Sequence, residues 1–475
     1  MQKNKLITLL QSLSSQELVF LRKYVNSPFF NENQELVKLF DAVATSLPTD
    51  GKTEISLNKL GLWTKVFPGK PYNDTRFRRI CSDLLKLVFD YLSYNQFKKL
   101  PLTSSLFLLP QLSGPQLDKH FAGVVRQMNN ELEQADFRDS DFHYITYMML
   151  QREHEHLEHS AKKSSAFEFI EKSDYHLDCY YFSKKLQLYS DALGFQSTLS
   201  GQASVRHFPD FFNYLQGTPY MQEPAVKAWY LVILMIQNKE DESQFQQLKK
   251  LVDKEGKHFQ KKELQMLFIH LMNYCIDTKI NNGRIEYYQE LFSLYKTALD
   301  QQIIFENGEL SPHHYKNIIT ISLHVKEFNW VEKFIEEHTH FLPKTERENA
   351  LNFNLANLFF HKKEYQKVIG QLQEVEYKSI VYAIGSKLLL ARTYYELDED
   401  IALDSLIDTF RIYLQRNRFI SKEIKQQCMN FLRFTKKLSA GKTYDKAKIE
   451  KLKSKIENCK AVATKKWLLE KVDEL

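Results

Sequence analysis

The sequence predicts an all-α protein: an N-terminal helical module followed by an α-solenoid of helix pairs. Three observations predict it. Only 14 Gly and 12 Pro occur among 475 residues; so few residues of special turn geometry suit long helices with short connections and disfavour a many-stranded sheet. Hydrophobic residues make up 43% of the chain and aromatics 13%, enough for a large core. In the C-terminal half, amphipathic segments begin near Glu223, Lys261, Ser311, Thr345 and Lys378, at intervals of 38, 50, 34 and 33 residues, close to the spacing of stacked helix pairs.

The first hundred residues read as a compact module. Ser14 followed by Glu17 forms a capping-box pattern ahead of Leu18, Phe20, Leu21 and Tyr24, and Ser27-Pro28 closes that helix because a residue before proline is pushed from helical angles. A second helix spans Asn33 to Leu47, with Leu36, Leu39, Phe40 and Val43 on one side. A third runs from Ser56 to Phe67 and stops at Pro68-Gly69. From Asp74 to Phe97, apolar Phe77, Ile80, Leu84, Leu87, Val88 and Tyr91 recur at helical spacing, opposite a face of Arg76, Arg79, Asp83, Lys86 and Asp90. Leu100 to Gln116, rich in Pro, Ser and Leu, reads as a linker or a change of direction.

Helices then alternate with short polar turns. Asp139 to Glu171 reads as one long helix broken near Ser160, and Asp174 to Leu193 as an aromatic helix capped by Gly194. Pairs continue to about Thr435, with a longer interruption at Gln301 to Pro312. Two units superpose with a 35-residue offset: Leu355-Ala356-x-x-Phe359 with Tyr365, Val368, Leu372 and Val375, then Leu390-Ala391-x-x-Tyr394 with Leu403, Ile407 and Phe410. A weaker copy upstream holds Phe328, Val331 and Ile335, ending at Pro343. Ala356 and Ala391 are expected to let antiparallel helices approach, with the aromatic three positions on filling the gap to the next pair. The domains expected are 1–100 as the helical module, 101–438 as the solenoid and 439–475 as a basic C-terminal helix.

Over about 130 residues this pattern resembles the tetratricopeptide family in a degenerate form. Asn352 and Lys387 stand where that family carries Trp, and Val368 and Leu403 where it carries Ala. The resemblance implies a right-handed superhelix whose concave face holds protein segments; it carries over no binding residues. The whole chain is also similar to an uncharacterised Bacteroidota family of helical proteins, through Phe67-Pro68-Gly69-Lys70-Pro71-Tyr72-Asn73-Asp74.

Composition narrows the setting. Cys81, Cys179, Cys275, Cys428 and Cys459 are scattered, without a Cys-x-x-Cys pair, so a reducing compartment is expected rather than a disulfide framework or zinc ribbon. The apolar run after Lys3 and Lys5 is too short for a signal peptide, and the longest run, Ala228 to Ile236, is short of a membrane span. The expectation is a cytoplasmic protein off the membrane, with the closing Val-Asp-Glu-Leu not acting as a retention signal. Net charge is +6, unevenly spread: residues 1–100 hold 15 Lys+Arg against 9 Asp+Glu, and residues 411–475 hold 18 against 7. That leaves the middle acidic. The basic C-terminal segment reads as a solvated, partly frayed helix, or one that docks on the acidic middle.

Five patterns could carry chemistry. His154-Glu155-His156-Leu157-Glu158-His159 is rich in ligands, but a zincin needs imidazoles four residues apart and Glu158 holds that place. Glu153-x-x-His156 and Glu337-x-x-His340 match half of a di-iron carboxylate pattern. A charged, solvated helix face is preferred, so neither metal nor cofactor is expected. Gly69-Lys70 fails as a phosphate loop, because Thr64 and Pro71 stand where Gly and Ser/Thr are required. Each Cys reads as a small apolar core residue. Finally, the helix ending at Phe67 and the next, opening with Arg76, Arg78 and Arg79, form a helix-turn-helix-like arrangement whose arginines would meet phosphates or guanine edges; the connection Pro68 to Asn73 is long for one. The expectation is a non-catalytic protein–protein interaction scaffold with unknown protein partners. The alternative is a DNA-binding regulator with the N-terminal module on DNA and the repeats as sensor, and a third, weaker reading is a metal enzyme around His154, His156 and His159.

Overall fold

The computed structural model describes residues 4–47, 58–114, 116–158, 166–198, 205, 210–373, 380–441 and 445–475. Among them it is all-α, with twenty-three α-helices and one pair of two-residue strands. The chain divides into two compact units, 1–182 and 183–475, so the expected boundary near residue 100 lies inside the first. No helix among the described residues is long and apolar enough to cross a membrane.

The first unit opens with α1 (Lys5–Gln11), α2 (Ser15–Val25), α3 (Gln34–Ala44), α4 (Lys59–Val66) and α5 (Asp74–Lys98). Each begins with a side-chain cap: Asn4, Ser14, Asn33, Asn58 and Asn73 accept from a first-turn amide, satisfying donors that a helix leaves unpaired. The Ser14–Glu17 capping box closes in both directions. Leu10, Leu21, Phe40, Val43, Phe77, Leu84 and Val88 meet in one core. The segment expected to be a linker or a change of direction holds α6 (Pro101–Leu108) and a 3-10 turn to Leu112; Pro101 sits at a first-turn position, where a missing N–H costs nothing. With α7 (Asp118–Gln134) and α8 (Ser140–Glu158) it builds a second core around Leu109, Phe121, Met128, Leu132 and Met149. The helix α9 (Ala166–Thr198) runs through Gly194 without the expected stop. Whether the segment before it breaks at Ser160 lies outside the described residues.

The second unit holds α10 (Phe211–Gln216), α11 (Pro224–Gln237), α12 (Glu242–Glu255), α13 (Lys261–Asn273) and α14 (Tyr287–Asp300), then strands β1 (Phe305–Glu306) and β2 (Glu309–Leu310). It continues as α15 (Pro312–His324), α16 (Phe328–His338), α17 (Arg347–His361), α18 (Tyr365–Gln373), α19 (Ile380–Glu396), α20 (Asp400–Arg416), α21 (Lys422–Gly441), α22 (Lys446–Glu457) and α23 (Lys465–Asp473). The starts of α11, α13, α15 and α17 fall at or within two residues of the expected Glu223, Lys261, Ser311 and Thr345; Lys378 lies outside the described residues. Packing is local in sequence: from α11 to α21 the substantial helix contacts join neighbours or helices two apart.

One turn recurs along these helices. Lys326, Lys363 and Asp398 adopt left-handed φ of 64°, 62° and 58° between the helices of α15/α16, α17/α18 and α19/α20. In each, the next amide reaches back five residues (Glu327 to Ser322, Glu364 to Phe359, Glu399 to Tyr394) while the left-handed residue's own amide reaches back three. This is the Schellman closure, and it satisfies the last carbonyls of the first helix. Ala356 and Ala391 are fully buried, as are Val368, Ile407 and Phe410. Phe359 does not fill the gap as expected. It is half-buried beneath Lys367 at 5.3 Å, and Phe353 and Phe360 take the core positions. Val375 lies outside the described residues.

The C-terminal segment is not a single frayed helix. It folds as α22 and α23, which pack on each other and on α21 and bury Leu452, Ile456, Trp467, Leu468 and Val472. Lys471 of α23 pairs with Glu396 of α19 at 3.1 Å, both side chains nearly buried.

Candidate interaction site

The three arginines open α5, whose start is fixed by the corner before it. Pro68 and Gly69 occupy the centre of a turn closed by Lys70 N–H to the Phe67 carbonyl at 3.2 Å, with Gly69 at φ +74°, a backbone angle only glycine takes at no steric cost. Trp63 Nε1 donates to the Lys70 carbonyl at 2.9 Å, and Tyr72 Oη donates to Asp74 at 2.7 Å. The stretch Phe67–Asp74 is thus a braced corner between α4 and α5. Arg76 is occupied within the module: it pairs with Glu35 at 2.5 Å and lies 4.4 Å over the Phe67 ring. Arg78 and Arg79 extend into solvent, 74% and 84% exposed, beside Asp74 at 2.6 Å and Asp83 at 4.0 Å. The three therefore do not form one free cationic edge, and the acids beside them oppose a phosphate backbone.

The histidine run places its groups unequally. His156 enters a cleft of about 530 Å³ lined also by Asp118, Phe121, Arg126, Glu153 and Phe169. Its ring stacks on Phe121 with centroids 3.9 Å apart, and Nε2 lies 3.3 Å from the Asp118 carboxylate. Nδ1 is buried without a hydrogen-bond partner. Glu153, one turn earlier on α8, is pushed by burial to a pKa of about 7, with Lys172 only partly opposing, because a carboxylate is poorly solvated there. The cleft therefore holds a carboxyl that exchanges its proton near neutral pH and an imidazole oriented by a second carboxylate. Among the described residues, Asp118, Glu153 and His156 do not gather their ligand atoms within 4.8 Å of one another; His159 lies outside them. The other half-pattern separates: His338 and Glu337 line a second cleft of about 420 Å³ with Trp330, Phe334 and Phe341, while the His340 ring lies tilted against Phe341 at 4.0 Å. None of the four cysteines that the structure buries, Cys81, Cys179, Cys275 and Cys428, is in a disulfide.

A surface of rings was not singled out by sequence. The turn after α2 carries Phe29, 88% exposed, and Phe30. Asn31 holds that turn in place: its Nδ2 donates to the Val25 carbonyl at 2.8 Å, and its Oδ1 accepts from Asn33 N–H at 3.0 Å. Phe30 stacks on Tyr24 at 4.1 Å, meets Phe29 edge-on at 4.9 Å and reaches Tyr94 of α5 at 5.7 Å. One turn beyond Tyr94, Phe97 meets Phe107 of α6 at 5.9 Å, with Phe107 67% exposed. Lys98 covers Tyr94 and Lys23 covers the exposed Phe20. The result is a set of large apolar side chains in water, locked by mutual contact and rimmed by lysines. The signal was the run Pro28-Phe29-Phe30 at a turn, where two adjacent rings cannot both face a core.

Sequence reading also passed over His143 and His176, whose Nδ1 atoms lie 3.0 Å apart. No known protein family, curated protein or solved structure matches this chain.

Proposed function

We propose that the protein is a non-catalytic protein–protein interaction scaffold of the cytoplasm, with tetratricopeptide-like helix pairs forming a solenoid in its second unit and a ring-bearing docking surface in its first. The observation that carries the reading is the surface made by Tyr24, Phe29, Phe30 and Tyr94. Rigid aromatic side chains supply large contact area at low entropic cost and are enriched where proteins meet. The rim of Lys23 and Lys98, on a module with 15 Lys+Arg against 9 Asp+Glu, selects a partner segment that joins an apolar anchor to acidic flanks.

The test is a comparative pull-down from the native cytoplasm, nuclease-treated and untreated. The bait is the tagged full chain beside its Phe29→Ser and Phe107→Ser variants. Both rings are so exposed that substitution changes stability by only about 0.5 kcal/mol. A defined protein set that survives nuclease and is depleted by the variants supports the scaffold. Recovery of nucleic acid, with proteins vanishing after nuclease, overturns it in favour of the DNA-binding regulator; a protein set indifferent to both substitutions removes the ring surface from the account.

A further inference from the structure

The last turns of α15 and α17, the C-terminal half of α19 and the start of α23 bring basic groups together around one unsatisfied arginine. The guanidinium carbon of Arg392 lies 4.0 Å from the centre of the Phe360 ring and 5.7 Å from that of Trp467. Its Nε is buried with no hydrogen-bond partner. The acid nearest in sequence is already engaged: Glu396 accepts from Trp467 Nε1 at 2.8 Å and pairs with Lys471 at 3.1 Å. Among the described residues no carboxylate comes within ion-pair distance of Arg392; Glu396 and Glu470 act on it only through space. Burial draws the Arg392 pKa down to about 10 against the pull of those two acids and Tyr365, a direction that records a charge without adequate solvation or pairing.

Two imidazoles and a lysine share its surroundings. His324 donates from Nδ1 to the Thr320 carbonyl at 2.8 Å and stacks on Tyr288 at 4.5 Å, so its ring is fixed and Nε2 is the free face. The His361 ring lies 6.1 Å from it. Burial holds His361 at a pKa of about 4, with repulsion from Arg392, His324 and Lys466 adding to the shift; burial lowers His324 as well, Lys466 and Arg392 again contributing. A half-buried guanidinium whose Nε is sealed from water without a partner, among groups that repel further positive charge, is a site short of an anion.

We propose that Arg392, Lys466, His361 and His324 form a binding site for a phosphate group. Charge decides between oxyanions. Arg392 and Lys466 are two full cations beside two imidazoles that can each gain a charge next to an anion, which favours a phosphate carrying up to two negative charges over a carboxylate carrying one. Its P–OH can also donate to a neutral imidazole. The guanidinium plane suits bidentate phosphate contact and is braced between Phe360 and Trp467. The site is independent of the ring surface of the first unit, so either proposal can fail alone.

The test uses the full chain with inorganic phosphate, against acetate and chloride at matched ionic strength and pH 7. Wild type is expected to gain thermal stability with millimolar phosphate and to show the His361 ring titrating at higher pH in its NMR spectrum. Arg392→Met retains a long side chain against Phe360 and Trp467 and should lose the phosphate response. Lys466→Gln, at an exposed position, guards against a folding failure and should weaken phosphate binding about tenfold, as expected for one charge-assisted contact. A phosphate response that persists in both variants is a general salt effect and overturns the site. An equal response to acetate overturns the phosphate assignment.

Discussion

Single residues set opposite pH slopes in the two units. Glu153 has a folded pKa of about 7, above the ordinary carboxylate value near 4.3. Folding therefore favours its protonated form, and the stability it contributes is full below about pH 4.3 and lost as pH rises through 7. Glu153→Gln is expected to stabilise the first unit by about 2 kcal/mol at pH 8 and to be neutral at pH 4; chemical denaturation at both values reads it, and equal effects would refute a titrating Glu153. His270, edge-on to Trp229 at 5.8 Å, and His361 are each held by burial at about 4. Their folded pKa is depressed below the unfolded value near 6.5, so their contribution is full above pH 6.5 and falls away between there and pH 4. The second unit should lose stability over that window, and His270→Gln should flatten part of the slope. The Glu153-x-x-His156 spacing was visible in the sequence; the shift was not, because it comes from the α7 and α9 residues that close the cleft.

At the scale of elements, the repeated left-handed turn gives the sharpest handle. A non-glycine residue in that conformation costs about 1 kcal/mol. Lys363→Gly should therefore raise the unfolding midpoint, while Lys363→Val, β-branched and strained there, should lower it; equal effects would refute the turn geometry. A second device lies between α17 and α19. A Cβ on Gly385 would meet the Phe353 ring at 2.8 Å, tighter than real contacts allow. The same 35-residue offset that aligns Ala356 with Ala391 aligns fully buried Ala350 with Gly385, so this small-residue position was legible and passed over. Gly385→Val is expected to cost about 3 kcal/mol through overpacking, and Phe353→Leu in the same chain to return part of it. Between α14 and α15 the sequence shows a longer interruption, Gln301 to Pro312. It is a hairpin turned by Asn307 and Gly308 at φ 51° and 81°, with Phe305 opposite Leu310; Asn-Gly between apolar residues is the local signal for it.

At the scale of the molecule, the C-terminal helices α22 and α23 are part of the second unit's packing, on each other and on α21. They bring Trp467, only 6% exposed, edge-on to Tyr395 of α19 at 5.3 Å. Trp467→Ala should cost about 3–5 kcal/mol and lower the denaturation midpoint of the second unit; an unchanged midpoint would place α23 outside the cooperative fold. The excess of Lys and Arg there concealed this, because lysines on the outer face outnumber the buried Leu452, Ile456, Leu468 and Val472. By itself the sequence determined the helical class, the capped starts in the first hundred residues and the spacing of the pairs, since these depend on side chains three to five positions apart. Tertiary structure alone decided which polar groups are starved of water and which rings remain in it. Arg392, His361 and Glu153 are perturbed by burial, and burial comes from distant partners such as Trp467, whose indole bonds a carboxylate 71 residues away.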